Sequence, residues 1–250
     1  MIVKLMIIGH ILGDFYAQTD KIAKEKKHSI RMLIKHCLRY GLMLIICSTI
    51  FLTKSELLKF MMCILIIGVL HGLTDTLKIL IEKQMNLTPK ELLYLFILDQ
   101  IFHTIILILL CKIFNITGGI YVDVFNKNYD VNSFNNILNF IIGILICGRP
   151  ASIVVKLVFS TFKPKKQDQL LVKIENPKVG SYIGILERVI IFFLGIMSQY
   201  SAIGFVLTAK SVARYKQLED QTFAEKYLVG TLLSTVISIA CVGIYNYYKI

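Results

Sequence analysis

The stretch IIGVLHGLTDTLKIL, residues 66–80, sets His71 and Asp75 four residues apart inside an apolar run, with Lys78 three residues further on. On a helix, residues four apart stack on one face, so the imidazole and the carboxylate project in the same direction. Three other stretches repeat the theme. MIIGHILGDFYAQ (6–18) carries His10 and Asp14, then Gln18. IKHCLRYGLMLIIC (34–47) carries His36 and Tyr40, and YLFILDQIFHTIILILL (94–110) carries Asp99, Gln100 and His103. Four such helices facing one another predict a polar, metal-competent core in an all-α fold.

The wider composition fits that arrangement. The chain has 250 residues, of which 56% are hydrophobic, and its mean hydropathy is +0.68. Several apolar runs approach the roughly 20 residues that a helix needs to cross the hydrocarbon core. The expectation is a polytopic transmembrane helical bundle of about seven or eight spans. The net charge of +12 comes largely from lysines in the short links between apolar runs. Basic links beside spans are the positive-inside signal and attract anionic lipid headgroups, so membrane lipid rather than nucleic acid is the expected partner. The six cysteines stand singly with no CxxC spacing. They read as packing thiols rather than disulfides or a zinc knuckle.

In chain order, span one is expected from about Ile2 to Ala17, retained rather than cleaved because it carries His10 and Asp14. The link from Lys21 to Lys35, with five lysines and Arg31 against Glu25, is expected on the cytoplasmic side. Spans two, three and four follow at about Met32–Leu52, Phe60–Ile81 and Leu92–Phe114, with Pro89 suited to the first turn of the fourth. These four form the first region, 1–114. An extracytoplasmic loop, 115–136, and a second membrane-helical region, 137–250, packed on the first, complete the division. Span five, about Ile137 to Phe159, is interrupted by Gly148-Arg149-Pro150, where proline frees a backbone carbonyl and kinks or splits the helix. A basic cytoplasmic link is expected at 163–178. The run from Ser181 to Tyr215 reads as one long span or as a hairpin turning near Ser198–Ser201. Charge placement at Lys210, Arg214 and Lys216 favours the hairpin. A last span runs from about Phe223 to Tyr247, with Tyr245, Tyr247 and Tyr248 as an interfacial belt. The location is expected to be a bacterial cytoplasmic membrane, crossed several times.

Depth ties the His/Asp groups together. At 1.5 Å rise per residue, His10, Asp14, His36, His71, Asp75, Asp99 and His103 fall roughly 5–20 Å inside the same boundary. A carboxylate at mid-bilayer costs about 2.5–3.5 kcal/mol on insertion scales, so Asp14, Asp75 and Asp99 require partners. For one HxxxD pair, hydrogen bonding across helices is the simpler reading. For three pairs plus His36 at one depth, a shared metal or catalytic site is favoured. Imidazole with carboxylate suits zinc, manganese or iron, as one ion or as two sharing a carboxylate, and one of the aspartates would serve as catalytic base. Gln18, Tyr40, Lys78 and Gln100 are candidates for the outer shell or for substrate contact. Lys78 taken alone reads as a snorkelling lysine, and His28 as a solvated one. In the second half, Glu187 and Arg188 with Lys210 and Arg214 read either as intramembrane ion pairing or as a cationic patch for an anionic headgroup.

With these residues in view, the chain resembles a bacterial family catalogued as domain of unknown function 3307. The resemblance lies in HxxxDFxxQ (His10, Asp14, Phe15, Gln18), HxxxY (His36, Tyr40), HxxxDxxK (His71, Asp75, Lys78) and DQxxH (Asp99, Gln100, His103). A later stretch, ER…QYxAIGFxxxAKSxAR, extends it to Glu187, Arg188, Lys210 and Arg214. The His/Asp pattern is also similar in style to membrane-bound metal-dependent hydrolases. From the ligand set, the leading expectation is a membrane-embedded metal-dependent hydrolase acting near the cytoplasmic leaflet on a lipid or lipid-linked phosphoester. A divalent-cation or proton transporter using the same carboxylates, or a membrane scaffold, are the other classes to separate from it.

Overall fold

The computed structural model describes residues 1–117, 131–162 and 177–249. The described residues are helical, with no strand among them. They form two compact units, 1–145 and 146–249. Residues 163–176 of the expected basic link and most of the loop expected at 115–136 lie outside the described residues, and the last two positions of the link, Pro177 and Lys178, already belong to a helix. The end of that loop is already helical, because α6 begins at Val131.

In the first unit, α1 (Ile2–Ile11) continues into a single π-helical turn, Leu12–Tyr16, closed by Ala17 N–H donating to Leu12 O at 2.7 Å. A short α2 (Asp20–Glu25), capped by Thr19, occupies part of the link read as simple loop. α3 (Ile30–Ser48), α4 (Lys54–Gln84) and α5 (Pro89–Ile113) follow. Local chemistry fixes their starts. Thr88 and Glu91 form a capping box with Pro89 in the first turn, as its missing N–H allows. Thr53 and Glu56 do the same for α4, and Glu56 also accepts from Thr117 N–H at 2.9 Å, tying the head of α4 to the tail of α5.

Among the described residues, five helical stretches are long and apolar enough to cross a membrane: Ser55–Gln84, Pro89–Ile113, Asn132–Thr161, Val179–Ile196 and Gln221–Tyr248. The first two expected spans fall close to their drawn bounds: α1 with its π-turn covers Ile2–Tyr16, and α3 continues through a 3-10 turn, Thr49–Phe51. α3 has two distinct faces. Leu33, His36, Tyr40, Leu44 and Ser48 are buried, while Ile34, Leu38, Leu42 and Ile46 are exposed along the opposite side. On α4 the exposed residues Leu58, Met62, Leu65, Val69, Leu73 and Leu77 form a similar stripe. Contiguous apolar stripes of this length suit lipid, and they enclose a polar interior.

α1 approaches α3 closely through Gly9 and Gly13, a small-xxx-small pair. A Cβ on Gly13 would sit 2.8 Å from Tyr40 Cδ2 and 3.1 Å from Tyr40 Cα; one on Gly9 would sit 3.0 Å from Leu44 Cα. Gly13→Ala is therefore expected to lower thermal stability in detergent by about 1–3 kcal/mol, the usual cost of overpacking. Fluorescence-detected size-exclusion after heating would measure it. An unchanged melting point would mean that α1 rides further from α3.

α6 (Val131–Cys147) belongs mostly to the first unit and α7 (Arg149–Thr161) to the second; the helix breaks at Gly148, so the Gly-Arg-Pro sequence splits the expected span as proline dictates. α8 (Pro177–Ile196) and α9 (Tyr200–Ala213) are separated by a turn in which Ser198 takes a positive φ of 58°. Lys210 of α9 reaches back to Glu187 of α8 at 2.6 Å, so the two run antiparallel and the hairpin is formed. α10 (Gln221–Tyr248), capped by Asp220, closes the unit.

Candidate metal centre

The His/Asp residues of α1, α3, α4 and α5 converge. His10, His36, His71, Asp75, Asp99 and His103 are all buried, and the Asp14 side chain is 7% exposed. The tightest contacts run between helices rather than along them. Asp14 Oδ1 lies 3.3 Å from His36 Nε2 and 3.3 Å from His71 Nε2, and the two Nε2 atoms are 3.0 Å apart. The pairs within one helix are looser: His71–Asp75 at 3.9 Å and Asp99–His103 at 3.8 Å. The π-turn accounts for part of this. It adds a residue to the turn that carries Asp14 and re-aims the carboxylate toward α3 and α4, and such turns favour functional positions.

Asp14 Oδ1, His36 Nε2 and His71 Nε2 form a compact triangle of atoms that carry lone pairs. Bonds of about 2.0–2.2 Å from a small divalent ion set neighbouring ligand atoms about 2.9–3.4 Å apart, from octahedral to tetrahedral angles. The observed separations fall in that window. Without an ion the arrangement is poorly satisfied. One imidazole hydrogen serves the Nε2–Nε2 contact, and Asp14 Oδ1 and Nδ1 of His36 and His71 are buried with no hydrogen bond. A buried polar group left in that state costs about 1–3 kcal/mol. The histidines of most metal sites donate their other N–H to a fixed acceptor. Nδ1 of His36 and of His71 lack one among the described residues, which suits an exchangeable ion better than a permanently locked one.

A second group, His71, Asp75 and His103, also gathers ligand atoms within 4.8 Å. The two groups share His71, and a neutral imidazole has one lone pair. The two groups therefore cannot both draw on His71 as a neutral ligand at once. In the second group Asp75 Oδ2 is already engaged by Lys26 Nζ at 2.6 Å, so the first is the one open as built. His103 has its own constraint. The single hydroxyl hydrogen of Thr74 serves Leu70 O or His71 O on its own helix. The 2.6 Å contact between Thr74 Oγ1 and His103 Nε2 is then assigned as donation from the imidazole, which places the lone pair on Nδ1, 3.6 Å from Asp14 Oδ2.

The remaining sequence candidates divide clearly. Tyr40 stacks on His71 with ring centroids 3.9 Å apart, and its hydroxyl meets His10 Nδ1 at 3.3 Å, so it orients both rings. His10 belongs to neither ligand group and makes no ion pair with Asp14; it flanks the site through Tyr40 and the His103 ring. Asp99 is likewise outside both groups, held by Lys78 at 2.8 Å and by Gln100 at 3.2 Å, while Gln100 also donates to Asp14 Oδ2 at 3.3 Å. Lys78 is thus a partner of a buried carboxylate rather than a snorkelling residue. Gln18 accepts from Lys26 at 3.4 Å. Lys26 and Thr74 are contacts that sequence reasoning missed. A lysine in a basic link carries no signal of inward aim, whereas Thr74 beside Asp75 on the His71 helix was open to notice.

In the second unit Glu187 pairs with Lys210, which also donates to Thr231 at 3.1 Å. Arg188 is fully buried and donates to Cys147 O (2.7 Å), Gly148 O and Ser234 Oγ (3.3 Å each) and Ser152 Oγ (2.6 Å). It caps the broken end of α6 instead of presenting a cation to a headgroup. Arg214 terminates α9 as its C-cap residue.

The family model described as protein of unknown function (DUF3307) matches residues 2–131. The chain belongs to this family. The matched stretch holds every residue of the His/Asp cluster, while Glu187, Arg188, Lys210 and Arg214 lie beyond it. No curated protein and no solved structure matches the chain.

Proposed function

We propose that this DUF3307 chain is a membrane-embedded metal-dependent hydrolase acting on a lipid or lipid-linked phosphoester near the cytoplasmic leaflet of a bacterial membrane. The observation that carries the reading is the Asp14–His36–His71 triangle, with three lone-pair atoms 3.0–3.3 Å apart at the centre of a helical unit with apolar outer stripes. Two histidines and one carboxylate leave open positions on zinc, manganese or iron, the arrangement of catalytic rather than structural sites. Bound there, the ion supplies Lewis-acid polarisation and acidifies water. Asp99, outside both ligand groups and held by Lys78 and Gln100, is the carboxylate left to accept a proton. The lipid character of the substrate rests on the exposed stripes of α3 and α4 and on the basic α2–α3 segment. Along that segment Lys24, Lys27, His28 and Arg31 line a cavity of about 980 Å³.

Detergent-purified protein is expected to hydrolyse a phosphoester lipid, to lose at least about 100-fold of that rate on chelation, and to regain it when zinc or manganese is returned. A panel of phosphoester lipids assayed for released headgroup would test it. Turnover indifferent to chelation would remove the metal from the mechanism. A divalent-cation or proton pathway through the same carboxylates is the competing reading, with the split helix at Gly148 on its side. Ion flux in proteoliposomes with no turnover would favour it.

A further inference from the structure

Lys26 stands apart from the other lysines of the α2–α3 segment. Its side chain is 13% exposed, and its ammonium lies 2.6 Å from Asp75 Oδ2, with Gln18 Oε1 at 3.4 Å. Next to it, Lys27 pairs with Glu82 at the rim, where its side chain is 48% exposed. Asp75 and Glu82 are seven residues apart on α4, two turns along one face. Two consecutive lysines therefore fasten the segment to α4 at two levels, one inside the site and one at its edge. Ile22 of α2, 3% exposed, anchors the segment on its apolar side.

The inner fastening occupies a ligand. Asp75 Oδ2 is 3.4 Å from His36 Nε2, within reach of the triangle formed with His71 and Asp14, yet its charge is committed to an ammonium group. A divalent ion and Lys26 compete for that oxygen, because sharing it would set two cations about 4 Å apart in a buried site, where they repel strongly.

We propose that Lys26 is an internal cation that occupies Asp75 in the metal-free protein and is displaced when a divalent ion recruits that carboxylate, releasing the α2 segment from the site. This rests on the metal-centre reading above. Asp75 is then held by the chain's own lysine until the ion in the open triangle recruits it, and that recruitment is coupled to opening of the segment that bears the basic surface.

The test is titration with Mn²⁺ of chelator-stripped, detergent-purified full-length protein, comparing wild type with Lys26→Met and with Lys21→Met, whose side chain is exposed and takes no part in either fastening. Lys26→Met is expected to bind Mn²⁺ about 10-fold more tightly, since the ion no longer competes for Asp75, while Lys21→Met matches wild type. A second measurement needs no variant: Mn²⁺ is expected to speed tryptic cleavage between Lys21 and Arg31 in the wild-type chain. Equal or weaker binding by a folded Lys26→Met, or cleavage unchanged at saturating Mn²⁺, would overturn the displacement while leaving the metal centre intact. No Mn²⁺ or Zn²⁺ bound by any of the three proteins would instead bring down the metal-centre reading itself.

Discussion

Alanine at His71 is expected to strip the divalent ion from the protein while the helices still assemble. His71 belongs to both groups of converging ligand atoms, so its loss leaves neither setting with two imidazoles. Affinity should fall by at least about 100-fold, more than the loss of an outer-shell partner produces. Elemental analysis after dialysis against buffer with micromolar metal would read this directly, beside a size-exclusion profile showing that the variant is folded. The comparison variants give the experiment its force. Asp14→Asn should approach the His71→Ala result, because Asp14 Oδ1 is the carboxylate atom of the tight triangle. Asp99→Asn and His10→Gln should keep their metal, since neither residue enters either ligand group. If Asp99→Asn lost as much as His71→Ala, the ligand set would have to be redrawn around α5.

The helices and their polar interior were legible because both rest on periodicity. Histidine and aspartate four residues apart in an apolar run of membrane-spanning length fall together on one helix face, and insertion cost demands that such faces meet. What the periodicity could not convey is which atoms meet. The within-helix pairs drew attention, but the shortest distances join Asp14 of the first helix to His36 of the third and His71 of the fourth. That choice depends on the π-turn at Leu12–Tyr16, which no residue pattern announces, and on the closeness that Gly9 and Gly13 allow between α1 and α3. Lys26 was hidden for a different reason. A long flexible side chain at the end of a short helix can face water or turn inward, and only the position of α2 relative to Asp75 decides. In the second unit the break at Gly148 was visible from Pro150, whereas the group that satisfies it lies 40 residues away in sequence, at Arg188.

That distant cap gives the second large effect. Splitting a helix at Gly148 leaves the last carbonyls of α6 without partners, and Arg188 answers with donors to Cys147 O and Gly148 O while its fork also reaches Ser152 and Ser234. A cation at a helix C-terminus complements the dipole there, and burial strengthens the interaction. Arg188→Met keeps much of the volume but removes every donor: Gly148 O keeps the Ser152 N–H and hydroxyl, whereas Cys147 O and Ser234 Oγ lose this partner, at about 1–3 kcal/mol each. The expected result is a loss of about 3–5 kcal/mol, enough to lower the yield of monodisperse protein sharply and to shift its melting point in detergent by many degrees. Lysine should not rescue it, because one ammonium on a flexible stem cannot reproduce a planar fork directed at four acceptors. The readout is thermal stability by size-exclusion, taken together with metal content of whatever fraction remains folded. Full stability in Arg188→Met would mean that water or another side chain, such as Ser152, suffices to cap the break, and that the buried guanidinium serves a purpose other than satisfying it.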